Sequence, residues 1–117
     1  MLTFSPAVRV FLAAGATDMR RSVDGLSALV TSVMALDPFS GHLFLFRNRR
    51  GDRLKILVWD RTGFWVMYKR LEKGTFAWPE AGSSVAVELT FPQLVMLLEG
   101  IEMRTVRMRP RYVREAA

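Results

Sequence analysis

The sequence contains no cysteine and a single histidine, His42. Those two shortages exclude disulfide frameworks, structural zinc sites, iron–sulfur clusters, thiol nucleophiles and paired-histidine metal centres. A chain without cysteine also fits a reducing compartment. Long apolar runs are missing: no stretch approaches the roughly 18 residues that a membrane-spanning helix needs. The first residues, Met1 to Pro6, lack the basic and apolar regions of a signal peptide, so a cytoplasmic location is expected. Glycine-rich phosphate loops are absent in both the dinucleotide and the P-loop pattern. No serine sits in a nucleophile elbow.

Acids are outnumbered. Eleven Asp and Glu stand against 17 Lys and Arg, for a net charge of +6, and 14 of the basic residues are Arg. The planar guanidinium fork suits phosphate and carboxylate, so this bias points to a polyanion or an acidic protein surface as partner. The chain has 117 residues, half of them hydrophobic. That length is one domain, and it buries enough surface to hold a core without a disulfide or metal staple.

Apolar periodicity sets out the elements. Val8 to Ala13 alternates as a strand. Val23, Leu26, Leu29, Val30, Val33 and Met34 then recur at three- and four-residue steps, which predicts a helix capped by Asp18 or Ser22 and ended by Asp37-Pro38. Three strands follow, His42 to Arg47, Leu54 to Trp59 and Phe64 to Arg70. The short turns at Asn48–Asp52 and Asp60–Gly63 make them an antiparallel meander. One face of this meander is expected to be core and the other aromatic with basic tips. Thr75 to Pro79 is expected as a short edge segment, and Val85 to Leu89 as a further strand. Thr90 caps a helix with Pro92 early in it and Gly100 at its stop. The expected class is α+β, a single domain over residues 1–103. Its mainly antiparallel sheet runs strand–helix–three-strand meander–strand–helix, with the helices packed on one face. Residues 104–117 form an Arg-rich tail.

Catalytic chemistry finds little support. Asp37 precedes a proline, Asp52 and Asp60 sit in hairpin tips, and Asp18 lies at a helix start, where negative charge meets the dipole favourably. No carboxylates converge from strand centres as a two-metal site requires. The sequence therefore predicts no enzyme, no metal and no cofactor. What remains is basic. Arg47, Arg49, Arg50, Arg53 and Lys55 crowd one hairpin, while Arg104, Arg107, Arg109, Arg111 and Arg114 fill the tail with no intervening acid. Such segments can follow a phosphate backbone with little sequence preference, because no helix carries a row of base-reading side chains. Trp59, Trp65 and Tyr68, with Lys55 and Lys69 nearby, could stack on bases or else pack as core beneath a helix.

The blocks Gly15-Ala16-Thr17-Asp18-Met19-Arg20-Arg21, Asp24-Gly25-Leu26 and Asp37-Pro38-Phe39-Ser40-Gly41 open a longer pattern. It continues through Leu43 to Arg50, Leu54 to Leu57, Trp59-Asp60, Gly63-Phe64-Trp65, Lys69 to Gly74 and Phe76-Ala77-Trp78-Pro79. In this order and spacing the chain, from about Met1 to Gly100, closely resembles the TnpB-type accessory proteins of the sixty-six family of bacterial insertion sequences. Val58 stands where an aromatic is common, and Ser22 where glycine is frequent. The resemblance implies a non-catalytic helper for DNA transposition, acting with a separately encoded DDE-type transposase by binding it, DNA or both. A stand-alone basic nucleic-acid-binding regulator is the alternative. The resemblance supplies no catalytic residues, and Arg20 joins the basic residues above as a partner contact.

Overall fold

Alternation along the central strands decides the architecture. In the computed structural model, which describes residues 7–100, β1 (Val10–Ala16) sends Val10 and Leu12 to one side and Phe11 and Ala13 to the other. The same division holds in β2 (Leu43–Arg47), with Leu43 and Leu45 opposed to Phe44 and Phe46. In β3 (Arg53–Trp59), Leu54, Ile56 and Val58 oppose Leu57. Every one of these side chains is buried. A strand that is apolar on both faces needs cover on both faces.

The helices supply that cover. Leu26 and Val30 of α1 (Val23–Ser32), together with Met34, pack with Phe11, Phe44, Phe46 and Leu57. Leu94 and Leu97 of α2 (Phe91–Leu98) pack with Val10, Leu12, Leu45 and Ile56 on the opposite face. The helices therefore lie on opposite faces of the sheet, and the expectation that they share one face is corrected. The class itself, an α+β single domain with a mostly antiparallel sheet, stands.

The described residues form a five-stranded sheet in the order β4-β3-β2-β1-β5, where β4 is Phe64–Arg70 and β5 is Ala86–Leu89. The meander β2-β3-β4 is antiparallel throughout. β1 pairs parallel with β2 and antiparallel with β5. The parallel pair needs a crossover, which α1 provides. Thr75 to Pro79, expected as an edge segment, is not a strand. It crosses instead beside the β2-β3 turn, where Phe76 N–H donates to the Gly51 carbonyl at 2.7 Å and the Phe76 ring is buried.

Helix boundaries follow local chemistry. Thr90 Oγ1 accepts from Gln93 N–H and Gln93 Oε1 accepts from Thr90 N–H, a complete capping box. Gly100, at φ +79°, turns the chain just beyond α2. Lys69 Nζ adds a bond to the Leu98 carbonyl at 2.6 Å, where helix carbonyls lack intrahelical partners. α1 is looser. Ser22 holds the N-cap position without a side-chain bond, and the helix stops at Ser32, short of Asp37-Pro38, with Ala35 in left-handed backbone.

Three substitutions test this account by urea unfolding. Leu57→Ala, at a fully buried site, is expected to cost about 2–5 kcal/mol. Thr90→Ala should cost about 1 kcal/mol through the lost cap. Ser22→Ala should stay within about 0.5 kcal/mol, because no cap bond is lost; a Ser22 penalty matching that of Thr90 would contradict the helix assignments.

Candidate functional site

The hairpin between β2 and β3 is built on one asparagine. Asn48 Oδ1 accepts from Gly51 N–H at 2.9 Å and from Arg53 N–H at 3.0 Å, while Nδ2 donates to Asp52 Oδ1 at 2.8 Å. The backbone closes over the same span, with Gly51 N–H donating to the Asn48 carbonyl. Asparagine opening a turn and glycine closing it is the favoured pattern. Gly51 sits at φ +84°, a left-handed conformation that strains any residue with a side chain, while Thr75 Cβ lies at ordinary contact distance, 3.5 Å from where a Cβ would stand. Arg49 and Arg50 occupy the central turn positions and are exposed.

Opposite this tip runs the loop from Thr17 to Ser22, between β1 and α1. Its anchor comes from the sheet. Lys55 Nζ donates to the carbonyls of Met19 at 2.7 Å and Arg21 at 2.8 Å. Asp18 shapes the near end: Oδ1 accepts from Arg20 N–H at 2.9 Å, and the Arg20 guanidinium reaches Oδ2 at 2.7 Å. Those bonds hold the Asp18 carboxyl down at about 2, the Arg20 side chain being the largest cause. Asp18 thus fixes the loop before α1 and does not cap the helix.

Loop and tip enclose a cleft of about 1000 Å³ on the α1 side of the sheet. Its lining includes Arg20, Arg49, Arg50, Arg53, Lys55 and Tyr68. Five of the six basic candidates outside the tail therefore converge on one concavity. Their charges are unequally engaged. Arg20 pairs with Asp18, and Arg50 stands 3.9 Å from Asp52. Arg49 and Arg53 are exposed and form no ion pair among the described residues. Lys55 is committed to the loop carbonyls and lies 6.0 Å from the Tyr68 ring centroid.

Arg47 does not join them. It is half-buried beside Trp78, its guanidinium 5.8 Å from that ring, and its Nε is buried without a hydrogen-bond partner. Arg104, Arg107, Arg109, Arg111 and Arg114 lie outside the described residues. The aromatic candidates separate as well. Trp59 packs with Phe39 and Phe64 at centroid distances of 5.0 Å, and Trp65 donates Nε1–H to Asp60 Oδ2 at 2.6 Å from the other sheet face. Lys69, bound to α2, is likewise on that face. Tyr68 alone of the three aromatics lines the cleft.

Asp18, Asp37, Asp52 and Asp60 carry structural bonds. Asp60 accepts from the Trp65 indole, whose bond most lowers its pKa, and from Thr62 N–H and Gly63 N–H, and Asp37 accepts from Phe39 N–H. His42 Nδ1 accepts from Arg9 N–H at 3.0 Å at the entrance to β2. No three His, Cys, Asp or Glu side chains among the described residues converge as metal ligands. Sequence reasoning missed the organising roles of Asn48 and Lys55. The first had a signal in its Asn-x-x-Gly spacing; the second joins residues more than 30 positions apart and had none.

Sequence comparison with known proteins covers most of the chain. The family model described as IS66 Orf2 like protein matches residues 8–108. A Sinorhizobium fredii protein named uncharacterized protein y4hO is 41% identical over 104 residues, covering 89% of this chain and 90% of the relative. A second from the same organism, uncharacterized protein y4jC, is 34% identical over 110 residues, covering 94% and 93%. No solved structure matches the chain significantly.

The pH behaviour of Asp18 follows from its bonds. Its depressed pKa contributes stability that is complete above the ordinary value of 3.8 and is lost as pH falls toward about 2. Carboxyl titration by NMR should place Asp18 near 2 in the native chain and shift it upward in Arg20→Ala. An unchanged midpoint in that variant would show that the ion pair does not hold the loop.

Proposed function

We propose that this chain, which belongs to the IS66 Orf2-like protein family, is a non-catalytic accessory protein for transposition of an insertion sequence. It acts in the cytoplasm with a separately encoded DDE-type transposase, and its basic cleft contacts DNA with little sequence preference. Family membership supports the transposition role. The observation that carries the contact is the convergence of Arg20, Arg49, Arg50, Arg53 and Lys55 on one cleft, with Arg49 and Arg53 free of ion pairs among the described residues.

Physical chemistry favours a backbone contact here. Guanidinium groups on an exposed turn meet phosphate oxygens bidentately and release condensed counterions, a contribution that carries no sequence information. The helix N-terminus nearest the cleft, at α1, presents Ser22 rather than a row of long polar side chains. The tail arginines Arg104, Arg107, Arg109, Arg111 and Arg114 add a second basic segment to the same reading. Among the described residues, no helix is long and apolar enough to cross a membrane.

Salt titration of DNA binding tests the proposal. Affinity should fall log-linearly, by about 0.9 log unit per neutralised phosphate for each tenfold rise in salt on duplex. An Arg49→Ala, Arg53→Ala double variant and a truncation after Met103 should each flatten that slope. Binding that ignores salt, or equal slopes in all three proteins, would overturn the electrostatic contact. Co-purification with the neighbouring transposase, and loss of transposition when this chain is absent, tests the accessory role separately.

A further inference from the structure

Tyr68 stands apart from the other aromatic residues of the sheet. Phe64, two steps away along the same face of β4, packs with Trp59 and Phe39. Val66, the next residue on that face, sits opposite the buried Leu57. Tyr68 falls beyond this packed region, 52% exposed, and pairs across the strands with Lys55. The Lys55 ammonium stands 6.0 Å from the ring centroid, while its bonds to the Met19 and Arg21 carbonyls hold it in place. The tyrosine ring is thus an exposed aromatic surface inside a basic cleft.

We infer that this cleft holds an unpaired nucleotide of single-stranded DNA, with its base stacked on Tyr68 and the adjoining phosphates on Arg49 and Arg53. The inference rests on the DNA-contact reading above and specifies its substrate. Three observations carry it. The cleft, at about 1000 Å³ and open to solvent, has room for a nucleotide beside the ring. It combines an exposed ring with the exposed guanidinium groups of Arg49 and Arg53, neither in an ion pair among the described residues and Arg53 meeting Asp52 only at longer range, the pairing of stacking platform and phosphate contact by which single strands are held. A base reaches such a ring only when it has left the stack, so a paired duplex cannot use Tyr68. An acidic peptide would use the arginines and leave the ring idle.

The test is fluorescence anisotropy of the full chain with labelled oligothymidylate, a duplex of equal length, and an abasic strand of equal length. Wild type should bind the base-bearing strand more tightly than the other two. Tyr68→Ala should weaken that binding roughly five- to a hundredfold, as lost base–aromatic stacking does, and leave duplex binding within about twofold. Tyr68→Phe should retain it, and thermal melting confirms that both variants fold. Equal affinity for base-bearing and abasic strands, or a strand affinity indifferent to Tyr68→Ala, overturns the inference while leaving the electrostatic contact standing. Failure to bind any of the three DNAs overturns the DNA-contact reading itself. Polyglutamate that displaces the strand at equal charge concentration makes the cleft an acidic-peptide site and also overturns the inference.

Discussion

Lys55 donates to two backbone carbonyls of a loop more than 30 residues earlier in the chain, and the shape of the basic face depends on that contact. The ammonium group rises from β3, next to the edge strand, and its charge-assisted bonds are stronger than neutral ones. They draw the segment around Met19 and Arg21 toward β3, opposite the hairpin tip. Without them, the arginines of the tip would decorate an isolated turn. With them, tip and loop face each other across a cleft that Tyr68 and Val66 also line.

The two walls are stiffened by different means. Asn48 gathers the tip with one side chain that bonds Gly51, Asp52 and Arg53, while Asp18 and Arg20 tie the loop to itself. The acids nearest the cleft are thereby engaged: Asp18 by Arg20, and Asp52 by Asn48, whose bond is the main cause of its lowered pKa. Arg49 and Arg53 form no ion pair among the described residues, and Arg53 acts on the Asp52 carboxylate only at longer range. Exposed ion pairs contribute little to stability, so the gain from this arrangement lies in where positive charge is left over.

Much of the fold was legible because alternation and caps are local signals. Phe64–Arg70 reads as a strand on period alone, and Thr90 with Gln93 announces the start of α2. The placement of α1 and α2 was harder. Leu43-Phe44-Leu45-Phe46 is a continuous apolar run, the mark of a strand covered on both sides, and that signal outweighs the aromatic pattern that suggested one open face. The end of α1 depends on Ala35 at φ +58°, a conformation alanine does not advertise. At the site, the hairpin arginines were visible as a charge cluster. Their meeting with Arg20 was not, since it comes from the fold of a distant loop. Arg47 shows the converse: a basic residue within the cluster that the strand turns toward Trp78 instead.

The most direct test of the cleft as the nucleic-acid contact is an NMR titration of the full chain with single-stranded DNA, following backbone amides and the arginine Nε–H signals. The account predicts shifts concentrated at residues 17–22, at 48–55 and at Tyr68, with the largest side-chain changes at Arg49 and Arg53. Shifts that cluster around β5 and the 75–80 segment, or that bypass Arg49, Arg53 and Tyr68, would contradict it.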